Sequence, residues 1–313
     1  MNLSRLSAAL VAAACLQLSS ASAQDVASQT RDFVQQVALS TGDDDGLARW
    51  DERLCVGATG LSATDAQVLV DRISARAQAV GLRAGSPGCR ANVMVIYSQD
   101  SDAVTRQIVD QRRDLLGFYS EDGRITAGRE AMEEFANVPR PVRWWHISTT
   151  GVGSLRPDAA RTRQSSGRVA AQAASTTGGA NVTAADTGSA QDLQGADAVR
   201  TNGSRTRPSS TTARNELSYV LIVVDARRVA NVPASAWMDY VAFNALAQID
   251  PTARTGNFPT ILNLFSQTES APTQLTAWDI AYLEGLYRAR GETSNRQIAS
   301  IARRMADQVP APQ

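Results

Sequence analysis

Ser218-Tyr-Val-Leu-Ile-Val-Val-Asp225 is the strongest strand signal in the chain. Its unbroken apolar run, rich in β-branched residues, predicts a strand. Downstream, Pro233 opens a helix expected to run to about Gln248, with Trp237, Tyr240, Val241, Asn244 and Gln248 on neighbouring turns. Thr260-Ile-Leu-Asn-Leu-Phe265 follows a Pro-containing loop. Thr276-Ala-Trp-Asp279 reads as a capping-box start, with Asp for the usual Glu or Gln, for a helix through Tyr287. A last amphipathic helix spans Ser294 to about Gln308.

Upstream, Val142 to Thr149 reads as a strand after Pro141, preceded by helices around Arg129 to Phe135 and from Asp102 to Leu116. Ala91 to Tyr97, with Val93, Met94, Val95 and Ile96 contiguous, reads as another buried strand. Ser62 is placed to N-cap a helix that carries Ala66, Val68, Leu69, Ile73, Ala77 and Val80 at helical spacing and stops at Gly81. A strand over Ala48 to Val56 and a short helix over Asp25 to Ser40 complete the list. Strand, helix, strand in this order implies a parallel crossover unit. The expectation is one α+β domain with a mixed sheet and packed helices.

That domain is interrupted. From Ile147 to Ser218 there is no Phe, Trp or Tyr, and residues 151–215 are mostly Ala, Ser, Thr, Gly, Arg and Asp. Such a composition buries too little apolar surface to offset its ordering entropy, so a disordered low-complexity insertion is expected there. The domain is therefore read as residues 24–150 plus 216–313.

Residues 1–23 carry Arg5, an apolar stretch from Leu6 to Leu18 and Ala21-Ser-Ala23, the pattern of a cleavable export signal. About a dozen apolar residues fall short of the roughly 20 that a membrane-crossing helix needs. Cys15 as a lipoprotein cysteine is the competing reading. The expected compartment is the periplasm or the outside of the cell, with no transmembrane segment once the signal is removed. There Cys55 and Cys89 read as a structural disulfide, against the alternative of a thiol nucleophile.

Composition excludes more chemistry than it suggests. All 31 basic residues are arginine, so Schiff-base chemistry, a lysine general base and the lysine-containing phosphate loop are absent. One histidine, His146, cannot build a site in which two imidazoles share a metal, and no G-x-S-x-G elbow presents a serine to it. Net charge is +0, which offers no footprint for nucleic acid. Thr41 to Glu52 is a near match to a calcium loop but has Thr at its first position. Carboxylates such as Glu133 with Glu134, or Asp279 with Glu284, could serve acid and base roles. No catalytic residue, metal or cofactor is assigned.

Leu275-Thr-Ala-Trp-Asp-Ile-Ala-Tyr-Leu-Glu-Gly-Leu-Tyr287 resembles the final helix of metzincin-type zinc proteases, and Thr260-Ile261-Leu262 resembles the turn beneath their zinc. The resemblance covers about 55 residues, from Trp237 to Tyr287, and the same spacing also suits any buried amphipathic helix. It places Asn244 and Gln248 where two zinc ligands stand and Ala245 where the catalytic glutamate stands. Amides bind zinc poorly and alanine accepts no proton, so the resemblance implies a degenerate, zinc-less zincin-like domain. The mature chain also resembles uncharacterised exported proteins of Gram-negative bacteria through Trp50, Cys55, Gly88, Cys89, Asn92 and Ala245 to Gln248. Together these readings imply a non-catalytic envelope protein that binds a peptide, protein or cell-wall partner. Asn244 and Gln248 are its candidate binding residues if they face a cleft, and structural residues if they face the core. The alternative is a hydrolase of unrecognised type that uses Asp or Glu carboxylates.

Overall fold

The structure is a computed structural model. It describes residues 25–39, 46–117, 127–152, 182–183, 213–267, 270–289 and 293–309. The expected export signal, most of the expected insertion (153–181 and 184–212) and Thr41 to Asp45 of the calcium-like loop lie outside the described residues.

Helix α1 (25–37) is followed by β1 (Val56–Thr59), α2 (Ala63–Ala79), β2 (Val93–Ser98) and α3 (Ser101–Gln111). A 3-10 turn (Arg113–Leu116) leads towards α4 (Gly128–Asn137), β3 (Val142–Val152), the two-residue β4 (Val182–Thr183) and β5 (Ala213–Asp225). Then come α5 (Ala226–Val229), α6 (Ala234–Leu246), a second 3-10 turn (Ile261–Phe265), α7 (Ala277–Arg288) and α8 (Ser294–Gln308).

These elements form the expected α+β arrangement around a single mixed sheet of order β3-β5-β2-β1-β4. β1, β2 and β5 run parallel, in register Val56 to Val93 and Val93 to Val220, while β3 is antiparallel to β5. The Ser218 to Asp225 run is internal, which explains its unbroken apolarity. Val220, Ile222 and Val224 face the larger core with α1, α2, α6 and α7, whereas Leu221 and Val223 join Trp145, Ile108 and Phe135 on the other face.

Two expected boundaries shift. The strand expected over Ala48 to Val56 begins only at Val56, and the residues before it run extended with isolated bridges from Arg49 to Glu216 and from Leu54 to Ala84. Their apolar side chains, Leu47, Trp50 and Leu54, are buried without a strand ladder beside them. The paired strands β3 and β5 also reach into the expected insertion, with Gly151 opposite Arg214. β1 ends at Gly60, where φ is 82° and a Cβ would lie 1.9 Å from the Tyr97 carbonyl oxygen, so only glycine fits the turn into α2.

Cys55 and Cys89 are bonded, with Cα atoms 6.0 Å apart. Asn92 reinforces the closure: its Oδ1 accepts from the Cys55 amide at 2.7 Å and its Nδ2 donates to the Arg53 carbonyl at 2.9 Å. The bridge spans 34 residues of sequence, which corresponds to about 3–4 kcal/mol of stabilisation through the unfolded chain. Reduction of the disulfide should lower the urea midpoint accordingly, and an unchanged midpoint would show that the bridge contributes nothing.

Candidate functional site

The end of α6 and the cleft beside it. Helix α6 has no C-terminal glycine, and Ala247 leaves it in an extended conformation (φ −138°, ψ 147°). Its last carbonyls therefore lack the usual local partners. Donors from distant parts of the chain supply them. His146 Nε2 on β3 donates to the Asn244 carbonyl at 2.7 Å, Trp50 Nε1 to Ala245 at 2.8 Å and the Tyr287 hydroxyl on α7 to Leu246 at 2.5 Å. Just beyond, the Leu39 amide donates to Gln248 O at 3.1 Å and Trp144 Nε1 to Ile249 O at 2.9 Å.

A carbonyl only accepts, so the hydrogen bond to Asn244 fixes His146 with its proton on Nε2. Burial pushes the imidazole pKa down to about 4, against the two backbone carbonyls that favour its charged form. The single histidine is thus a neutral helix cap. Tyr287→Phe should cost about 1–3 kcal/mol, because it leaves the Leu246 carbonyl without its donor while keeping the ring. A thermal unfolding curve identical to that of the parent chain would refute this role.

Cleft-facing and core-facing placements were both open for Asn244 and Gln248, on a helix expected to run to about Gln248. The helix ends at Leu246, so Gln248 does not stand one turn beyond Asn244 on a common helical face. Asn244 is 0% exposed and Gln248 4%, and both lie in the interior. Asn244 Nδ2 donates to Tyr240 O of its own helix at 2.8 Å, while Asn244 Oδ1 and Gln248 Nε2 have no protein hydrogen-bond partner. Ala245 is also fully buried. Among the described residues no three His, Cys, Asp or Glu side chains come together in a group able to hold a metal.

The carboxylates weighed as acids or bases are distributed rather than paired with one another. Glu134 binds Arg140 at 3.2 Å and Glu284 binds Arg288 at 2.7 Å. Asp279 is sealed in the core and, as the N3 residue of α7, closes a capping box with the N-cap Thr276. It accepts from the Thr260 hydroxyl at 2.5 Å, the Ile261 amide at 2.8 Å and the Thr276 amide at 2.8 Å, tying the 3-10 turn to α7. Burial pushes its pKa up to about 6 against those hydrogen bonds.

Asp239 on α6 is 0% exposed and holds α2 in place through Arg72 at 3.2 Å and Arg76 at 2.7 Å, with the Leu275 amide at 3.0 Å. Burial works against its charge, yet Arg76, Leu275 and Arg72 together keep its pKa below the ordinary carboxylate value. At the end of β5, Ser101 donates to Asp225 at 2.7 Å and accepts from Arg143 at 3.0 Å. Asp102 joins this network through Arg228 and Arg143, which hold its pKa down to about 2. Both carboxylates are thereby engaged in structural contacts.

The sequence reading missed an open polar cleft of 390 Å³, lined by Arg49, Asp51, Glu52, Leu82, Arg83 and Tyr287 among others. That volume falls in the range usual for small-ligand sites, about 300–1,000 Å³. Trp50 and Tyr287, two of the α6 caps, also line it, so the cleft abuts the end of that helix. Arg49 is anchored by its Nη1 donating to Leu286 O at 3.1 Å. Asp51, Glu52 and Arg83 are exposed and form no ion pair with one another. Only a cluster of charges at Arg49 to Arg53 hints at this in sequence. Arg83 and Tyr287 join it through the fold. A second, apolar recess beside β3, lined by Leu39, Phe135, Trp144, His146 and Pro251, has only 30 Å³, about one water's share of the liquid.

No protein-family model, curated protein or solved structure matches the chain.

Proposed function

We propose that this is a non-catalytic exported envelope protein that binds a peptide, protein or cell-wall partner, and that the 390 Å³ polar cleft is where it does so. The observation that carries the reading is this cleft, with Asp51, Glu52 and Arg83 exposed along it, in a chain whose other candidate groups serve the fold. His146 caps α6, Asp279 and Asp239 are sealed, and Asn244 and Gln248 are buried. On this reading the two amides support the site from the interior and do not touch the partner. The disulfide suits an oxidising compartment. No helix among the described residues is long and apolar enough to cross a membrane. The order of parts, β5 then α6, the 3-10 turn and capped α7, is the one the zinc-less zincin resemblance implies.

The test is co-sedimentation of the purified mature chain with isolated cell envelope. Replacing Glu52 and Arg83 together by alanine should abolish co-sedimentation with the melting temperature unchanged, since both are exposed. Undiminished co-sedimentation of that variant would refute the cleft as the binding site.

A further inference from the structure

We infer that the outer edge of β3 is a docking site for an extended peptide segment of a partner, separate from the polar cleft. β3 is an edge strand of the sheet, with β5 on one side of it. The Asp225 amide donates to Pro141 O at 2.9 Å, which sets the phase of that antiparallel pairing. Arg143, Trp145 and Ile147 therefore bond β5, while the N–H and C=O groups of Trp144 and His146 point away from the sheet. Among the described residues these outward groups have no hydrogen-bond partner. Yet Trp144 is only 8% exposed and His146 5%. Main-chain donors and acceptors at such depth are nearly always paired, because leaving one bare costs as much as a lost hydrogen bond.

These groups lie in the apolar recess beside β3, between Leu39 and Pro251 on one side and Ala131 and Phe135 of α4 on the other. A ligand must meet a donor and an acceptor at every second residue, roughly 6.7 Å apart, and an extended main chain carries that repeat. The two walls exclude a second copy of β3, because one recessed edge cannot reach another. They also set the side chains of the added strand. The enclosed space is 30 Å³ and its walls are apolar, so the residues that enter it are small and uncharged, alanine above all. Glu134 and Arg140 at the rim neutralise each other, so charge does not select the partner. Proline is excluded opposite Trp144 and His146, since it has no N–H to donate.

The experiment follows amide hydrogen exchange in the isotope-labelled mature chain, disulfide intact, with and without a capped hexapeptide of alanine, valine and serine. In the free chain the Trp144 and His146 amides should exchange at least about tenfold faster than that of Trp145. The peptide at about 10 mM should slow both at least about tenfold, which corresponds to a Kd of about 1 mM or below. The same peptide with every amide N-methylated keeps its side chains, loses its donors and should bind at least about tenfold more weakly. Ala131→Phe, which fills the recess from α4, should weaken the unmethylated peptide to the same extent, and the methylated control stands if that variant does not fold. Equal binding of the two peptides would overturn the inference. So would slow exchange of Trp144 and His146 in the free monomer, or no response to the unmethylated peptide. Slowing that appears only as the chain dimerises would assign the edge to a second copy and overturn it as well. Envelope co-sedimentation of the Glu52 and Arg83 variant decides the polar cleft separately.

Discussion

Removing Arg72 and Arg76 together should destabilise the protein by about 3–5 kcal/mol, because it strands the Asp239 carboxylate in the core with the Leu275 amide as its one remaining donor. Removing Asp239 should cost less. The arginines are 29% and 28% exposed and can turn into water, which leaves mainly the orphaned Leu275 amide, worth about 1–3 kcal/mol. Either arginine alone should be tolerated best, since the other stays on the carboxylate. Urea unfolding of Arg72→Ala, Arg76→Ala, the double variant and Asp239→Ala gives all four values. If the double variant loses only the sum of two small single effects, the two arginines do not substitute for each other and the account of the α2 to α6 contact fails.

The pH dependence of stability should be nearly flat between pH 6 and 4, since two buried groups oppose each other there. His146 titrates near 6.5 unfolded and near 4 folded. As pH falls below 6.5 the unfolded chain binds a proton that the folded one does not, so stability is lost until pH reaches 4, roughly 3 kcal/mol in all. Asp279 behaves in the opposite sense, with an ordinary value of 3.8 and a folded value near 6. Below pH 6 the folded chain takes up the proton first, so stability is gained down to pH 3.8, again roughly 3 kcal/mol.

Single variants should separate the two. Asp279→Asn should reveal a loss of stability on acidification from pH 6.5 to 4, and His146→Gln a gain from pH 6 to 3.8. Below pH 3.8 a further loss should set in as Asp102, held near 2 by Arg228 and Arg143, is protonated in the unfolded chain first. Chemical unfolding across the range checks each slope. A flat profile in Asp279→Asn would show that His146 does not resist protonation.

These two predictions rest on contacts that join residues far apart in sequence, and they mark where sequence reading stopped. The elements themselves were legible. Ser62, Thr276 and the apolar spacing of α2 and α7 specify helices locally, and the buried runs of β2 and β5 specify strands, because burial on both faces demands apolar residues at every position. The end of α6 was not legible. Its C-terminal carbonyls are capped from 98, 195 and 41 residues away by His146, Trp50 and Tyr287, so no local Gly or Asn signal marks the stop.

The candidate site divides in the same way. Composition by itself removed lysine chemistry and two-histidine metal sites, since a missing side chain cannot be supplied by any fold. The pair Cys55 and Cys89 pointed to the bridge that the structure contains, because two cysteines expected in an oxidising compartment favour pairing. Whether Asn244 and Gln248 face a cleft or the interior depended on where α6 ends and what covers it, and that is set by packing against β3 and the Trp50 segment. The polar cleft likewise exists because Arg49 to Glu52, Arg83 after α2 and Tyr287 on α7 are brought to one place. Local spacing determines the elements, while the meeting of side chains from separate elements is determined by the burial of their shared core, which no single stretch of sequence records.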